Sequence, residues 1–142
     1  MEVRFKEGDI FVNKEGPDLY FRKVIRIIDN KCLIYNYNSN RGSLWPLDFN
    51  YHRLATRAEI VLYSNTPIRP FKTRFRVGDI IKSIKNNKFL IINVERNPFY
   101  EGNKRKAPLV YKVLNIVNKK IYYIKRKNTK NYKLYNRNIS PF

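Results

Sequence analysis

Apolar and polar positions along this chain alternate in short runs. Val3 to Val12 alternates charged and apolar residues up to a Gly-Asp pair and then turns apolar, the pattern of a turn feeding a strand. Lys14-Glu15-Gly16-Pro17-Asp18 is turn chemistry. Leu19 to Ile28 is rich in β-branched and aromatic residues and predicts a strand. Asp29-Asn30-Lys31 predicts a tight hairpin into Cys32–Tyr37, with Leu33, Tyr35 and Tyr37 on one face and Cys32 and Ile34 on the other. Leu44 to Phe49 reads as a fourth strand, placed at an edge or bulge by Pro46. Tyr51 to Ile60 has short helical spacing, read as one turn before a last strand at Glu59–Tyr63. Ser64 to Pro70, with Pro67 and Pro70, reads as a linker.

The order then repeats. Phe75–Ile84, Phe89–Glu95, Leu109–Val117, Ile121–Lys127 and Tyr132–Ile139 are the expected strands, with a long exposed loop from Asn97 to Ala107. The repeat has a literal signature. Arg4-Phe5-Lys6-Glu7-Gly8-Asp9-Ile10 returns seventy positions later as Arg74-Phe75-Arg76-Val77-Gly78-Asp79-Ile80. Such a period is too long for a solenoid unit and implies two copies of one small domain. The expected division is 1–65, a linker at 66–72, and 73–142. A domain of about 65 residues buries only about 60% of its unfolded surface and is marginal alone.

Short strands and no helix long enough to cross over a parallel sheet make the fold class all-β. Small antiparallel sheets avoid exposed edges by closing into barrels. The Phe-x-x-Gly-Asp-Ile opening followed by three hairpin-connected strands resembles the SH3-like small barrel of Tudor and KOW-type modules. That resemblance implies two tandem small antiparallel barrels. An OB-like barrel is the second option, but it places a helix between its third and fourth strands, where neither half has room.

Charge changes the picture. The formal net charge is +19. Lys, Asn, Ile, Tyr and Phe are abundant and Gln is absent, which fits translation of an A/T-rich gene. Such a bias raises Glu along with Lys and cannot act differently on two halves of one gene. Residues 1–70 nevertheless carry 11 basic and 8 acidic side chains, and residues 71–142 carry 19 and 3. The asymmetry points to a polyanion on the side of the second copy.

The densest stretch is Lys119 to Arg137, with eight basic residues, four tyrosines and no acid. Basic side chains satisfy phosphates and aromatic faces stack on unpaired bases. The candidate phosphate ligands are Lys104, Arg105, Lys106, Lys119, Lys120, Lys125, Arg126, Lys127, Lys130, Lys133 and Arg137. The candidate stacking residues are Tyr100, Tyr123, Tyr132 and Tyr135. Strand alternation sends either Ile121 and Tyr123 or Tyr122 and Ile124 into the core. In the first copy, Tyr20, Tyr35, Tyr37, Trp45, Phe49 and Tyr51 form either core or, as in Tudor-like barrels, a cage for a methylated cation.

Other chemistry finds little purchase. One histidine, His52, and one cysteine, Cys32, supply neither a metal site nor a nucleophile–base pair. Gly8 and Gly78 stand alone rather than in a phosphate loop. The matched Asp9 and Asp79 suit a turn better than acid–base work. No enzyme and no cofactor are expected. A lone cysteine points to a reducing compartment, and the N-terminus lacks the apolar core of a signal peptide. The expectation is a cytoplasmic or virion protein that binds DNA or RNA with little sequence preference through its second barrel. The alternative is a structural or adaptor component of a larger assembly, such as a phage virion or ribonucleoprotein particle. Binding to a membrane is disfavoured because no amphipathic basic helix is evident.

Overall fold

The computed structural model describes residues 5–13, 18–46, 52–64, 72–137 and 139–141. The chain divides into two units, one formed by Met1–Phe71 with Ile139–Phe142 and the other by Lys72–Asn138. The first holds β1 (Ile10–Asn13), β2 (Arg22–Ile28), β3 (Lys31–Asn36), β4 (Arg41–Pro46), β5 (His52–Leu54) and α1 (Arg57–Ser64). The second holds β6 (Ile80–Ser83), β7 (Lys88–Arg96), β8 (Leu109–Asn115), β9 (Ile121–Lys125) and β10 (Tyr132–Asn136). Each unit is one antiparallel five-stranded sheet. The orders are β4-β3-β2-β1-β5 and β10-β6-β7-β8-β9, the same topology written from opposite ends.

The all-β, tandem architecture is therefore as expected, but closure into a barrel is not. Both sheets are open, ending at β4 and β5 or at β9 and β10. In the first unit β4 stops at Pro46, which has no N–H to extend a ladder, and β5 is only three residues long. In the second unit a 3-10 turn over Arg126–Asn131, rather than a ladder, carries the chain from β9 to β10.

The repeated motif builds the same turn twice. Gly8 and Gly78 sit at φ +93° and +95°, where a side chain would be strained. The Asp9 N–H donates to the Lys6 carbonyl at 3.0 Å, and the Asp79 N–H to that of Arg76 at 3.1 Å. Each carboxylate takes a backbone N–H in return, from Lys6 at 2.9 Å and from Arg76 at 3.0 Å. Both turns dock alike. Gly8 donates to Val24 and Val24 to Asp9, while Gly78 donates to Ile91 and Ile91 to Asp79, all between 2.7 and 2.9 Å. The register then slips between Val24 and Arg26 in β2 and between Ile91 and Asn93 in β7, so each copy bulges at its next residue.

The motif phenylalanine enters each core. Phe5 packs with Phe11, Val24, Cys32 and Ile34, and Phe75 with Ile81, Ile91, Tyr111, Val113 and Ile124. Burying each Phe contributes roughly 1.5–3 kcal/mol.

Two expectations are corrected. The strand expected at Glu59–Tyr63 is the helix α1. Its start is a capping box: the Glu59 N–H donates to Thr56 Oγ1 at 3.2 Å, and the Thr56 N–H to Glu59 Oε1 at 2.9 Å. The last residues, expected with the second copy, fold with the first unit. There the Tyr37 hydroxyl donates to the Pro141 carbonyl. Around it Tyr37 meets Tyr63 of α1 at 4.2 Å and Tyr35 at 5.2 Å, while Tyr63 meets Phe21 at 5.7 Å. The Gly16-Pro17 turn, the linker at 66–71, Phe49 and Tyr51 lie outside the described residues.

Candidate nucleic-acid interface

Side chains alternate across a strand, so the register of the second sheet sorts them into two faces. The pairs Ile81–Phe89, Ile91–Val113, Val113–Tyr122, Val94–Tyr111 and Tyr111–Ile124 define the core face. Tyr122 and Ile124 are therefore the inward pair of β9, and Ile121, Tyr123 and Lys125 face outward. The pairs Lys133–Lys82, Lys82–Lys88 and Lys112–Tyr123, together with Lys125 opposite Val110, define the outer face. Every lysine within these five strands, one per strand, falls on that outer face. Glu95, opposite Val110, shares it.

Three of these lysines stand in a row. Lys133, Lys82 and Lys88 are direct cross-strand neighbours on β10, β6 and β7. Like charges directly opposite each other destabilise a sheet by roughly 0.2–1 kcal/mol per pair relative to neutral residues. Lys88 Nζ lies 4.0 Å from the Tyr135 ring centroid, and its hydrogen bond and charge, helped by Lys82, hold the Tyr135 hydroxyl below its ordinary range.

The acids that might balance this face are few. Asp79, 1% exposed, accepts from Arg137 Nε at 3.0 Å and Arg137 Nη2 at 2.8 Å. Arg137, expected to contact phosphate, is thereby committed to the repeated turn. Lys104 is also committed, because its Nζ donates to the carbonyls of Pro98 and Tyr100 and closes its own loop. Arg105 and Lys106 are exposed on the short 3-10 turn beside it. Tyr132 packs on Phe89 at 5.9 Å on the core face and is unsuited to stacking.

The remaining candidates lie on the surface. Lys119 takes φ +62° in the hairpin turn before β9, and Lys120 follows it. Arg126, Lys127 and Lys130 project from the exposed turn over Arg126–Asn131. Arg74, the first residue of the motif, braces that turn by donating to the Thr129 carbonyl at 2.9 Å while lying over Phe75. Tyr123, on the outer face, packs edge-on against Phe99 at 5.3 Å, which brings the 97–107 loop to that face. Phe99 is 72% exposed and Tyr135 54%. Lys82, Lys88, Lys112 and Phe99 thus join the site although the basic run in the sequence does not contain them.

The first unit offers a contrast. Tyr35 and Tyr37 are buried. The Arg22 guanidinium lies 5.0 Å from the Trp45 ring and 5.6 Å from that of Tyr20, filling the space a methylated cation would need. His52 packs between Phe11 and Trp45. Burial, with Glu7 nearby, pushes the Cys32 thiol up to about 12. Among the described residues no three His, Cys, Asp or Glu side chains come together, and no helix is long and apolar enough to cross a membrane.

Set against protein-family models, curated proteins and solved structures, the chain finds no match, so its own geometry carries the functional argument.

Proposed function

We propose that this is a non-enzymatic nucleic-acid-binding protein with little sequence preference, in which the second unit supplies the phosphate contacts. The observation that carries the reading is the single outer face holding Lys82, Lys88, Lys112, Lys125 and Lys133, with Arg126, Lys127 and Lys130 on the adjoining turn. Affinity would come mainly from counterion release, with stacking on exposed aromatics. The strand order common to both units supports likeness to SH3-like modules of the Tudor and KOW type.

Charge reversal tests this against a matched control. Lys125→Glu with Arg126→Glu should weaken oligonucleotide binding far more than Lys6→Glu with Lys31→Glu in the first unit, an equal change in net charge. Equal weakening would reduce the effect to net charge and remove the proposed face.

A second reading assigns the first unit to protein docking within a larger assembly. It is favoured by exposed apolar residues on and beside α1: Leu54 at 48%, Val61 at 57% and Leu62 at 56%. Scattered apolar exposure is ordinary, but a cluster suits an interface. Co-purification of a stoichiometric protein partner without nucleic acid would favour it.

A further inference from the structure

Where β6 and β10 meet, the second unit has a pocket of about 330 Å³ lined by Lys82, Ser83, Ile84, Asn86, Lys130, Asn131 and Lys133. Three elements bring its amines together. Lys82 and Lys133 are direct partners on β6 and β10, and Lys130 comes from the 3-10 turn that enters β10. Among the described residues no acid pairs with any of the three. The Ser83 hydroxyl accepts from the Asn87 N–H at 3.1 Å, which leaves its own proton to donate. Asn86 and Asn131 add neutral amides. The lining is therefore rich in donors and poor in acceptors, and the Lys82–Lys133 register that creates it is unfavourable without a counter-charge. Beside it, Tyr135 follows Lys133 by two residues on the same face, with Lys88 against its ring.

We infer that this pocket is a phosphate subsite for single-stranded nucleic acid, a conclusion that rests on the nucleic-acid reading above. One backbone phosphate sits among Lys82, Lys130 and Lys133, and the adjoining base stacks on Tyr135. A concave cluster of amines beside an exposed aromatic is the arrangement of single-strand binders. Among the described residues the second unit has no α-helix to enter a major groove, and its helical pieces are two 3-10 turns.

The test uses the full chain and a labelled oligothymidine of about 16 nucleotides, with a duplex of equal length beside it. Lys82→Gln/Lys130→Gln/Lys133→Gln should lower the magnitude of the slope of log affinity against log salt by about 2, since each phosphate contact on a single strand contributes about 0.7. Tyr135→Leu should weaken single-strand binding by about 5- to 100-fold and duplex binding little. The control Lys6→Gln/Lys31→Gln/Arg57→Gln should leave the slope near that of the unaltered protein. Because the pocket lysines repel one another, the triple variant should melt no lower than the parent in low salt. A drop in melting temperature would mark the lysines as structural and overturn the inference. Equal slopes for the two triple variants, or tighter binding to the duplex, would also overturn it. If the unaltered protein bound neither oligonucleotide, the underlying reading would fall. Amide shifts at Ser83, Asn86 and Asn131 on titrating inorganic phosphate would then uphold the pocket as an anion site, and their absence would remove it too.

Discussion

Substituting Asp79 by Asn tests whether the repeated Gly-Asp is a structural turn. The Asp79 carboxylate is 1% exposed and accepts three N–H groups, from Arg76 at 3.0 Å and from Arg137 at 3.0 and 2.8 Å. Asn keeps the shape but turns one oxygen into a donor that meets other donors. Hydrogen bonds to charged groups contribute about 1.5–3 kcal/mol each, and breaking a buried ion pair costs about 3–5 kcal/mol. The Arg137 side chain is 39% exposed, so water recovers part of that loss. The expected cost is about 2–3 kcal/mol, or roughly 8–20 °C in melting temperature for a unit of this size. The first copy provides the control, because Asp9 is half-buried and its carboxylate takes the Lys6 N–H at 2.9 Å. Asp9→Asn should cost about 1 kcal/mol. Urea denaturation followed through amide signals from each unit would measure both. Equal costs, or a smaller cost at Asp79, would refute the reasoning that Arg137 and Asp79 lock the second turn.

Three further outcomes are expected. Thr56→Ala should cost the first unit about 0.5–2 kcal/mol by removing the α1 cap. Arg53, first, and Thr56 hold the Glu59 carboxyl down at about 2 against an ordinary 4.5, so this stabilisation is complete above about pH 4.5 and disappears as pH falls through about 2; an acid titration of helix signals would show it, and Glu59→Gln should flatten it. Tyr37→Phe should cost about 1–3 kcal/mol by leaving the buried Pro141 carbonyl unsatisfied, read as a lower urea midpoint for the first unit. Cys32, fully buried with its thiol raised to about 12, should resist alkylation at neutral pH until the first unit unfolds.

Much of the fold was legible because local signals agreed with the global outcome. The Asp29-Asn30 hairpin appears with Asp29 at φ +54°, and Pro46 does end an edge strand. The duplicated motif correctly announced two copies, and its glycines are where φ turns positive. Three things escaped. The Thr56-x-x-Glu59 capping box was present as a signal but was outweighed by the β-branched and aromatic residues of Glu59–Tyr63. The return of Ile139–Phe142 to the first unit depends on the Tyr37–Pro141 contact across 104 positions, which local patterning does not encode. The interface was found in part: the basic run marked Lys125, Lys130 and Lys133, but Lys82 and Lys88 join them only through strand register, which is set by tertiary pairing. Charge counting also could not separate Arg137 and Lys104, held by their own chain, from lysines that face outward.

The central claim is that the outer face of the second sheet meets a phosphate backbone. Its most direct test is the affinity of the unaltered protein for a single-stranded oligonucleotide across a salt series. Engagement of four or more of the outward cations predicts a linear fall of log affinity against log salt with a slope of about −3 or steeper. A flat line, or no binding at the lowest salt, would contradict the account.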